Sequence, residues 1–286
     1  MKFGLSVFVS AETNNPQERA ITPAELGAAA EERGFDSVFV AEHTHIPALD
    51  ISLPGGEPMP RYFSHMLDPF VTLTSMAAAT SRILLGTGVI LLSTRDPIIT
   101  AKEAASLDLL SGGRLVFGVG TGWITEEIAN HGVDPARRFS VLRERLTAIT
   151  RIWEQDAAEF HGEHVDFGPV LSWPKPVQRP RPPVLLGGWS PKMPQRVLDL
   201  ADGWMMPPLF DIDRVEKEVA GIRKLAAEQG RPQPRLSFFT GGDPAELERA
   251  AALEPERVLF FADPWTKDET LAKLDEWAAA MAEYGG

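Results

Sequence analysis

The chain contains no cysteine, which excludes disulfides, thiolate metal ligands and a cysteine nucleophile. Long apolar runs are missing as well. No stretch approaches the roughly 18 consecutive apolar residues of a membrane span, and no basic segment followed by an apolar one stands at the start. Neither a membrane helix nor a signal peptide is expected, and cytoplasmic residence is the default. Positive charge is scarce: 28 Lys and Arg stand against 40 Asp and Glu, a formal charge of −12. That balance argues against nucleic acid or an anionic membrane surface as the principal partner. A small anionic ligand stays open, because it needs only a few local donors, and Arg95, Lys102, Arg137, Arg138, Lys192 and Arg196 are candidates.

Glycine, by contrast, is concentrated where it attracts attention. Residues 118–127 read GVGTGWITEE, with Gly118, Gly120 and Gly122 at alternate positions. The dinucleotide fingerprint G-x-G-x-x-G needs glycine at 123 and meets Trp123. A phosphate-cradling P-loop fails too, for want of Lys-Ser or Lys-Thr after the glycines. The meaning of the run therefore depends on its place in the chain.

Short stretches rich in Val, Ile, Leu and Phe read as strands at Phe3 to Val9, Ser37 to Ala41, Ile83 to Ile90, Leu115 to Val119, Val184 to Leu186, Gly203 to Met206, Leu236 to Thr240 and Val258 to Ala262. Each is followed by apolar residues at helical spacing, from Ala24 to Arg33 through to Glu269 to Met281. Thr22-Pro23, Asp68-Pro69, Asp96-Pro97, Ser190-Pro191 and Asp243-Pro244 mark helix starts by a capping residue before proline. Thr22 with Glu25, Asp243 with Glu246 and Thr266 with Glu269 have capping-box spacing. Eight β-then-α repeats in 286 residues predict a single-domain α/β protein, a (β/α)8 TIM barrel over residues 1–286. An open doubly wound sheet would more often stop at five or six strands. Long insertions fall after strand two, at His45 to Leu67, a candidate lid, and after strand four. The stretch from Phe160 to Pro183 reads as a short hairpin and an extended proline-rich approach to strand five.

In this fold active sites gather where strands end. Strand two ends in Glu42, His43, Thr44 and His45, and strand three in Gly86-Thr87-Gly88-Val89. Strand four ends in Gly120-Thr121-Gly122-Trp123, strand five in Gly187-Gly188-Trp189-Ser190, strand six in Met205-Met206 and strand eight in Asp263. Glycines there admit a flat ligand, and Trp123, Trp189 and Trp265 are able to wall an aromatic ring. Turn chemistry accounts equally well for any single glycine pair. The His43-x-His45 pair matches the first half of a barrel zinc site, but no later strand ends in histidine, so no metal is expected. His43 directly follows its strand, and its near-neutral side chain suits proton transfer.

DSVFVAEH, then DPFVTLTSMAAATSRILLGTGVILLSTRDPIITAKEAASLDLLSGGRLVFGVGTGWITEE, then PKPVQRPRPPVLLGGWSP and LADGW together resemble the bacterial luciferase-like superfamily, and within it the coenzyme F420-dependent oxidoreductases. The likeness runs from the first strand to about Trp204 and weakens beyond it. It implies a cofactor ring across the C-terminal mouth of the barrel and a non-prolyl cis peptide at Gly88–Val89. It also implies cofactor contacts from Thr121, Gly122, Gly187, Gly188, Trp189 and Ser190. His43, preceded by Glu42, matches the position beside the reacting edge, which makes these two the candidate catalytic residues. Trp123 stands where sugar-phosphate dehydrogenases of the family carry a glutamate, so a more apolar substrate is expected, lined by Phe8, Trp123, Met205, Met206 and the lid around Tyr62 and Phe63.

The resemblance thus implies hydride transfer between the deazaflavin and a small enone, imine or alcohol, in a homodimer. Two alternatives share the fold: an FMNH2-dependent monooxygenase, with FMN in place of F420, and a non-catalytic flavin-binding barrel.

Overall fold

A computed structural model describes residues 1–13, 20–206, 212–263 and 265–284. Its strands are β1 (Lys2–Val7), β2 (Ser37–Val40), β3 (Leu84–Thr87) with its short resumption β4 (Ile90–Leu91), β5 (Leu115–Gly120), a hairpin of β6 (Ala157–His161) and β7 (Asp166–Leu171), β8 (Val184–Gly187), β9 (Gly203–Met205), β10 (Arg235–Thr240) and β11 (Arg257–Ala262). Parallel pairing runs β1-β2-β3-β5-β8-β9-β10-β11 and returns to β1, closing an eight-stranded TIM barrel that matches the expected fold class. The helices are α1 (Pro23–Glu32), α2 (Pro69–Ala79), α3 (Pro97–Leu110), α4 (Thr125–Asn130), α5 (Arg138–Glu154), α6 (Met193–Leu200), α7 (Ile212–Glu228), α8 (Pro244–Ala252) and α9 (Lys267–Tyr284). Among the described residues no helix is long and apolar enough to cross a membrane.

Strand alternation sorts side chains into two cores. Phe39, Val116, Leu185, Met205, Phe239 and Leu259 fill the barrel, with Val89 and Phe261 at its edge. The outer faces carry Val38, Phe117, Leu186, Trp204 and Met206 against the helices. Strand β9 shows the rule in miniature: Met205 points in, while Trp204 and Met206 point out.

Helix starts follow the capping chemistry at four of the five expected places. Thr22 and Glu25 form a reciprocal capping box, and Asp68, Asp96 and Asp243 accept backbone N–H bonds from the first turns of α2, α3 and α8. Thr266 and Glu269 close a second box ahead of α9. Glu246 departs from the pattern, since its carboxylate takes the Thr240 hydroxyl instead of the cap backbone. Ser190-Pro191 is the exception among the starts: α6 begins only at Met193, and a turn in which the Met193 N–H meets the Ser190 carbonyl precedes it.

The insertion after β2 is docked rather than loose. It contains a 3-10 turn at Arg61–His65, and the N–H groups of Leu67 and Ala11 reach the carbonyls of Val9 and His65. The insertion after β5 holds α4 and a second 3-10 turn, Pro135–Arg137. The predicted hairpin is present, beginning at Ala157 rather than Phe160. It follows α5, and its turn is fastened to that helix by Glu144, which accepts the N–H groups of Glu163, His164 and Val165.

Candidate functional site at the barrel mouth

The glycine run acquires its meaning from its neighbours. A Cβ on Gly118 would lie 1.9 Å from the Thr87 carbonyl oxygen, and one on Gly120 2.7 Å from a Val89 methyl. From the next strand, a Cβ on Gly187 would come within 2.6 Å of the other methyl. These glycines therefore make room for the interruption between β3 and β4, where the Gly88–Val89 peptide is cis, at the bond the resemblance implies. The Thr87 hydroxyl donates to the Gly118 carbonyl at 2.7 Å and ties the two strands together. Val89 is left half-buried at the top of the inner core. Gly122 turns the chain with φ of +76°, a left-handed conformation that glycine adopts without strain.

His43 is held in place by a carboxylate at this end of the barrel. Its side chain is 5% exposed, and its Nδ1 lies 2.8 Å from Oε2 of Glu127, which is completely buried. Glu127 Oε1 also accepts the Thr44 backbone N–H at 2.8 Å and the Thr44 hydroxyl at 3.1 Å. Burial by itself would raise the Glu127 carboxyl, but the His43 and Thr44 contacts outweigh it and hold the group below the ordinary glutamate value. The pair escapes sequence reading because 84 residues separate its members. In the sequence Glu127 is one of two acids in the first turn of a short helix, a common placement with a dipole explanation of its own.

Aromatic rings flank His43. The His43 ring is 5.5 Å from Phe63 and 5.9 Å, edge-on, from Trp123. Phe8 packs at 4.9 Å against Phe63 and 5.1 Å against Phe261. Tyr62 stacks on Phe63 and donates its hydroxyl to Asp263 at 2.8 Å, pinning the insertion to the exit of β11. Burial and the Asp263 carboxylate raise the Tyr62 phenol above its usual value, so it remains a donor. Phe8 and Trp123 are linked through Phe63 and His43. Met206 is not part of this group: it is wholly buried in the outer core, on the face of β9 turned from the mouth. Met205 does face inward, but as part of the packed barrel interior. Trp189 leans on α7, with the Arg214 guanidinium 3.6 Å over its ring and its indole N–H 3.5 Å from Glu218, while Trp265 packs against Trp277.

Glu42 occupies a different environment from His43. Its Oε2 accepts the Leu91 N–H at 2.6 Å and its Oε1 the Arg95 Nε at 2.7 Å. Arg95 in turn reaches Asp68 and Glu103, so it is not available to an anionic ligand. Lys102 and Arg137 are likewise engaged, with the Trp173 carbonyl and Glu163 respectively. Arg196 is differently placed: it donates to the Ser190 hydroxyl at 3.3 Å while lying 3.5 Å over the Phe139 ring. Burial and nearby Arg138 lower its pKa, the mark of two cations crowded together beside the β8 exit. The Gly188 carbonyl there is fixed by the Trp204 indole N–H at 2.9 Å, and Gly188 itself has φ of +113°. The histidines of the H-x-H pair have separate partners, since His45 bonds Thr44 and Asn130. Among the described residues no cluster of three or more His, Asp or Glu side chains is placed to hold a metal.

Comparison with known proteins agrees with this geometry, for the model of the luciferase-like monooxygenase family matches residues 1–285. The chain belongs to that family. An uncharacterized Mycobacterium tuberculosis protein is 40% identical over 293 residues, covering 99% of both chains. An F420-dependent glucose-6-phosphate dehydrogenase of Nakamurella multipartita is 29% identical over 92% of this chain and 77% of its own. The oxygenase component of a flavin-dependent trigonelline monooxygenase of Acinetobacter baylyi is 26% identical over 94% of this chain and 73% of its own. Among solved structures, the monooxygenase RslO1 of Streptomyces bottropensis superposes with a TM-score of 0.79 at 19% identity, each chain covered in full. A coenzyme F420-dependent tetrahydromethanopterin reductase of Methanopyrus kandleri gives 0.70 at 18%, over 98% of this chain and 97% of its own. Luciferase-like proteins are thus oxidoreductases and monooxygenases, and the relatives of this chain include both F420-dependent and flavin-dependent enzymes.

Proposed function

We propose that this protein is an F420-dependent oxidoreductase acting on a small, largely apolar substrate of the enone, imine or alcohol type. The observation that carries the reading is the His43–Glu127 pair set beside an aromatic wall of Phe8, Phe63 and Trp123. Exchange of a hydride at a carbon centre requires that a proton also be given or taken at a neighbouring atom, and a histidine braced by a carboxylate does that near neutrality. The wall offers contact area and no charge, which suits an uncharged substrate.

The residues present fit a cofactor with a flat ring and an anionic tail. Gly122 and Gly188 present bare backbone at the exits of β5 and β8, and Ser190 with Arg196 supplies a hydroxyl and a cation for a phosphate. When bound, the deazaflavin supplies or accepts the hydride. What remains falls to the chain. Val89, Thr121 and Gly122 position the ring, Gly187, Gly188, Ser190 and Arg196 hold the tail, and the aromatic wall excludes water. Trp189 contributes its backbone at the β8 exit. His43 handles the proton, and Glu42 acts at one remove by holding Arg95 and the Leu91 amide. Met205 closes the floor. We place the protein in the cytoplasm, as a homodimer with no nucleic-acid or membrane partner.

The reading is tested anaerobically, by following reduced F420 with a panel of cyclic enones and imines, and oxidised F420 with secondary alcohols. Turnover that depends on His43 supports it. Activity obtained only with reduced FMN and oxygen would move the protein to the monooxygenases, and binding without turnover under any condition would leave a non-catalytic flavin-binding barrel.

A further inference from the structure

We infer that Glu127 is a positioning residue that fixes the tautomer of His43, and that Thr44 and His131 form the directed hydrogen-bond chain keeping Glu127 ionised and in place. The inference rests on the reading of His43 as the proton-handling group, and it adds which ring nitrogen does the work and what selects it.

Donors and acceptors decide the tautomer. Glu127 is held below the ordinary glutamate value, because the His43 and Thr44 contacts overcome its burial, so near neutrality it is a carboxylate and can only accept. The nitrogen facing it at 2.8 Å, His43 Nδ1, must then carry hydrogen. In the neutral ring Nε2 is left as the lone-pair atom, and it has no hydrogen-bond partner among the described residues, on a ring flanked by Phe63 and Trp123. A free histidine side chain in water favours the opposite tautomer, with hydrogen on Nε2, so the protein is imposing the less common form.

The same logic extends outward. Thr44 has one hydroxyl hydrogen and three candidate partners: Glu127 Oε1 at 3.1 Å, His131 Nε2 at 2.9 Å and His45 Nδ1 at 3.0 Å. The carboxylate is the strongest acceptor of the three, so the hydroxyl donates to Glu127 and accepts from the imidazoles. Burial, with His45 and Arg145, lowers the His131 imidazole against the opposing carboxylates of Glu127 and Glu42, and with the Thr44 hydroxyl committed to Glu127 the ring is left to donate. Its Nε2 therefore carries the hydrogen that Thr44 Oγ1 accepts. The chain of donation runs from His131 through Thr44 to Glu127, and independently from His43 to Glu127.

For the reaction, a substrate O–H or N–H bond breaks as its proton bonds to His43 Nε2. The hydrogen on Nδ1 stays where it is, and the resulting imidazolium lies against a carboxylate that remains ionised. In the opposite direction the imidazolium returns the Nε2 proton to the product. An imidazolium is thus stabilised in either direction without proton transfer to Glu127.

The test begins with the full chain free of cofactor, labelled with nitrogen-15 in its histidines. Long-range proton–nitrogen correlation at neutral pH is expected to show hydrogen on Nδ1 of His43 and on Nε2 of His131. In Glu127→Leu, or in Glu127→Ala should the leucine variant fail to fold, the His43 signal is expected to move toward the Nε2–H form. With cofactor and substrate, Glu127→Leu is expected to lower kcat on the order of 10²- to 10⁴-fold while cofactor Kd and KM change little. Glu127→Gln, which still offers an acceptor oxygen, should recover part of that loss. Finding Nε2–H on His43 in the unmodified chain, or no tautomer change in either variant, overturns the inference. An Nδ1–H ring in a protein that turns over nothing would overturn the proposed function and leave the positioning role standing.

Discussion

Single residues decide the shape of the mouth. Because a Cβ on Gly118 would lie 1.9 Å from a backbone oxygen rather than from a movable side chain, Gly118→Ala is expected to cost about 1 to 3 kcal/mol. Gly168→Ala in the hairpin, where nothing lies within 4 Å, serves as the control and should be nearly neutral in the same urea titration. Equal effects at the two positions would contradict the packing account. Arg95→Met should be worse, about 3 to 5 kcal/mol, because it strands the buried Glu42 carboxylate, whose side chain is 1% exposed. These residues also mark how far the sequence could be read. The exits carrying His43, Gly88-Val89 and Thr121-Gly122 were legible because each follows a strand within a few residues. Glu127 was not legible as a site residue, since its importance comes from an approach to His43 across 84 residues, whereas Arg196 stood among the candidate anion donors and only its bond to Ser190 needed the structure. Met206 was misread for a local reason: on a strand, the residue after an inward Met205 must point out.

At the scale of elements, junctions between helix and strand hold much of the polar design. Glu31, near the end of α1, accepts the N–H groups of Ser81, Arg82 and Ile83 and so closes the turn that leads from α2 into β3. Burial opposes ionisation there, but the three backbone donors prevail and hold the carboxyl at about 2 against an ordinary 4.5. A carboxyl depressed in the folded state stabilises it fully above 4.5, and that contribution disappears as the pH falls from 4.5 toward 2. Glu31→Gln is therefore expected to lose up to about 1 kcal/mol at neutral pH, solvent screening reducing the effect at this partly exposed group, with the two proteins converging in stability as acid is added. A constant difference down to pH 2 would show that the group is not titrating as argued. Cap signals predicted the starts of α1, α2, α3 and α8 because they are local. The failure at Ser190 is informative, since the hydroxyl that does not cap α6 is the one that meets Arg196.

For the molecule as a whole, eight repeats of strand and helix determine that all βα connections meet at one end, and that end is where His43, Trp123, Gly188 and Phe8 converge. The barrel was legible in full from periodicity and capping, whereas the docking of the long insertion after β2 was not, for it depends on Tyr62 finding Asp263 some 201 residues away. The central claim is that this mouth is built for a deazaflavin. The measurement that bears on it most directly is a parallel titration of the purified chain with coenzyme F420 and with FMN, followed by ring fluorescence and repeated in Arg196→Ala. Tight saturable binding of F420 in preference to FMN, weakened about tenfold or more when the charged donor is removed, is the predicted result. Preference for FMN, or binding of neither, would contradict the account.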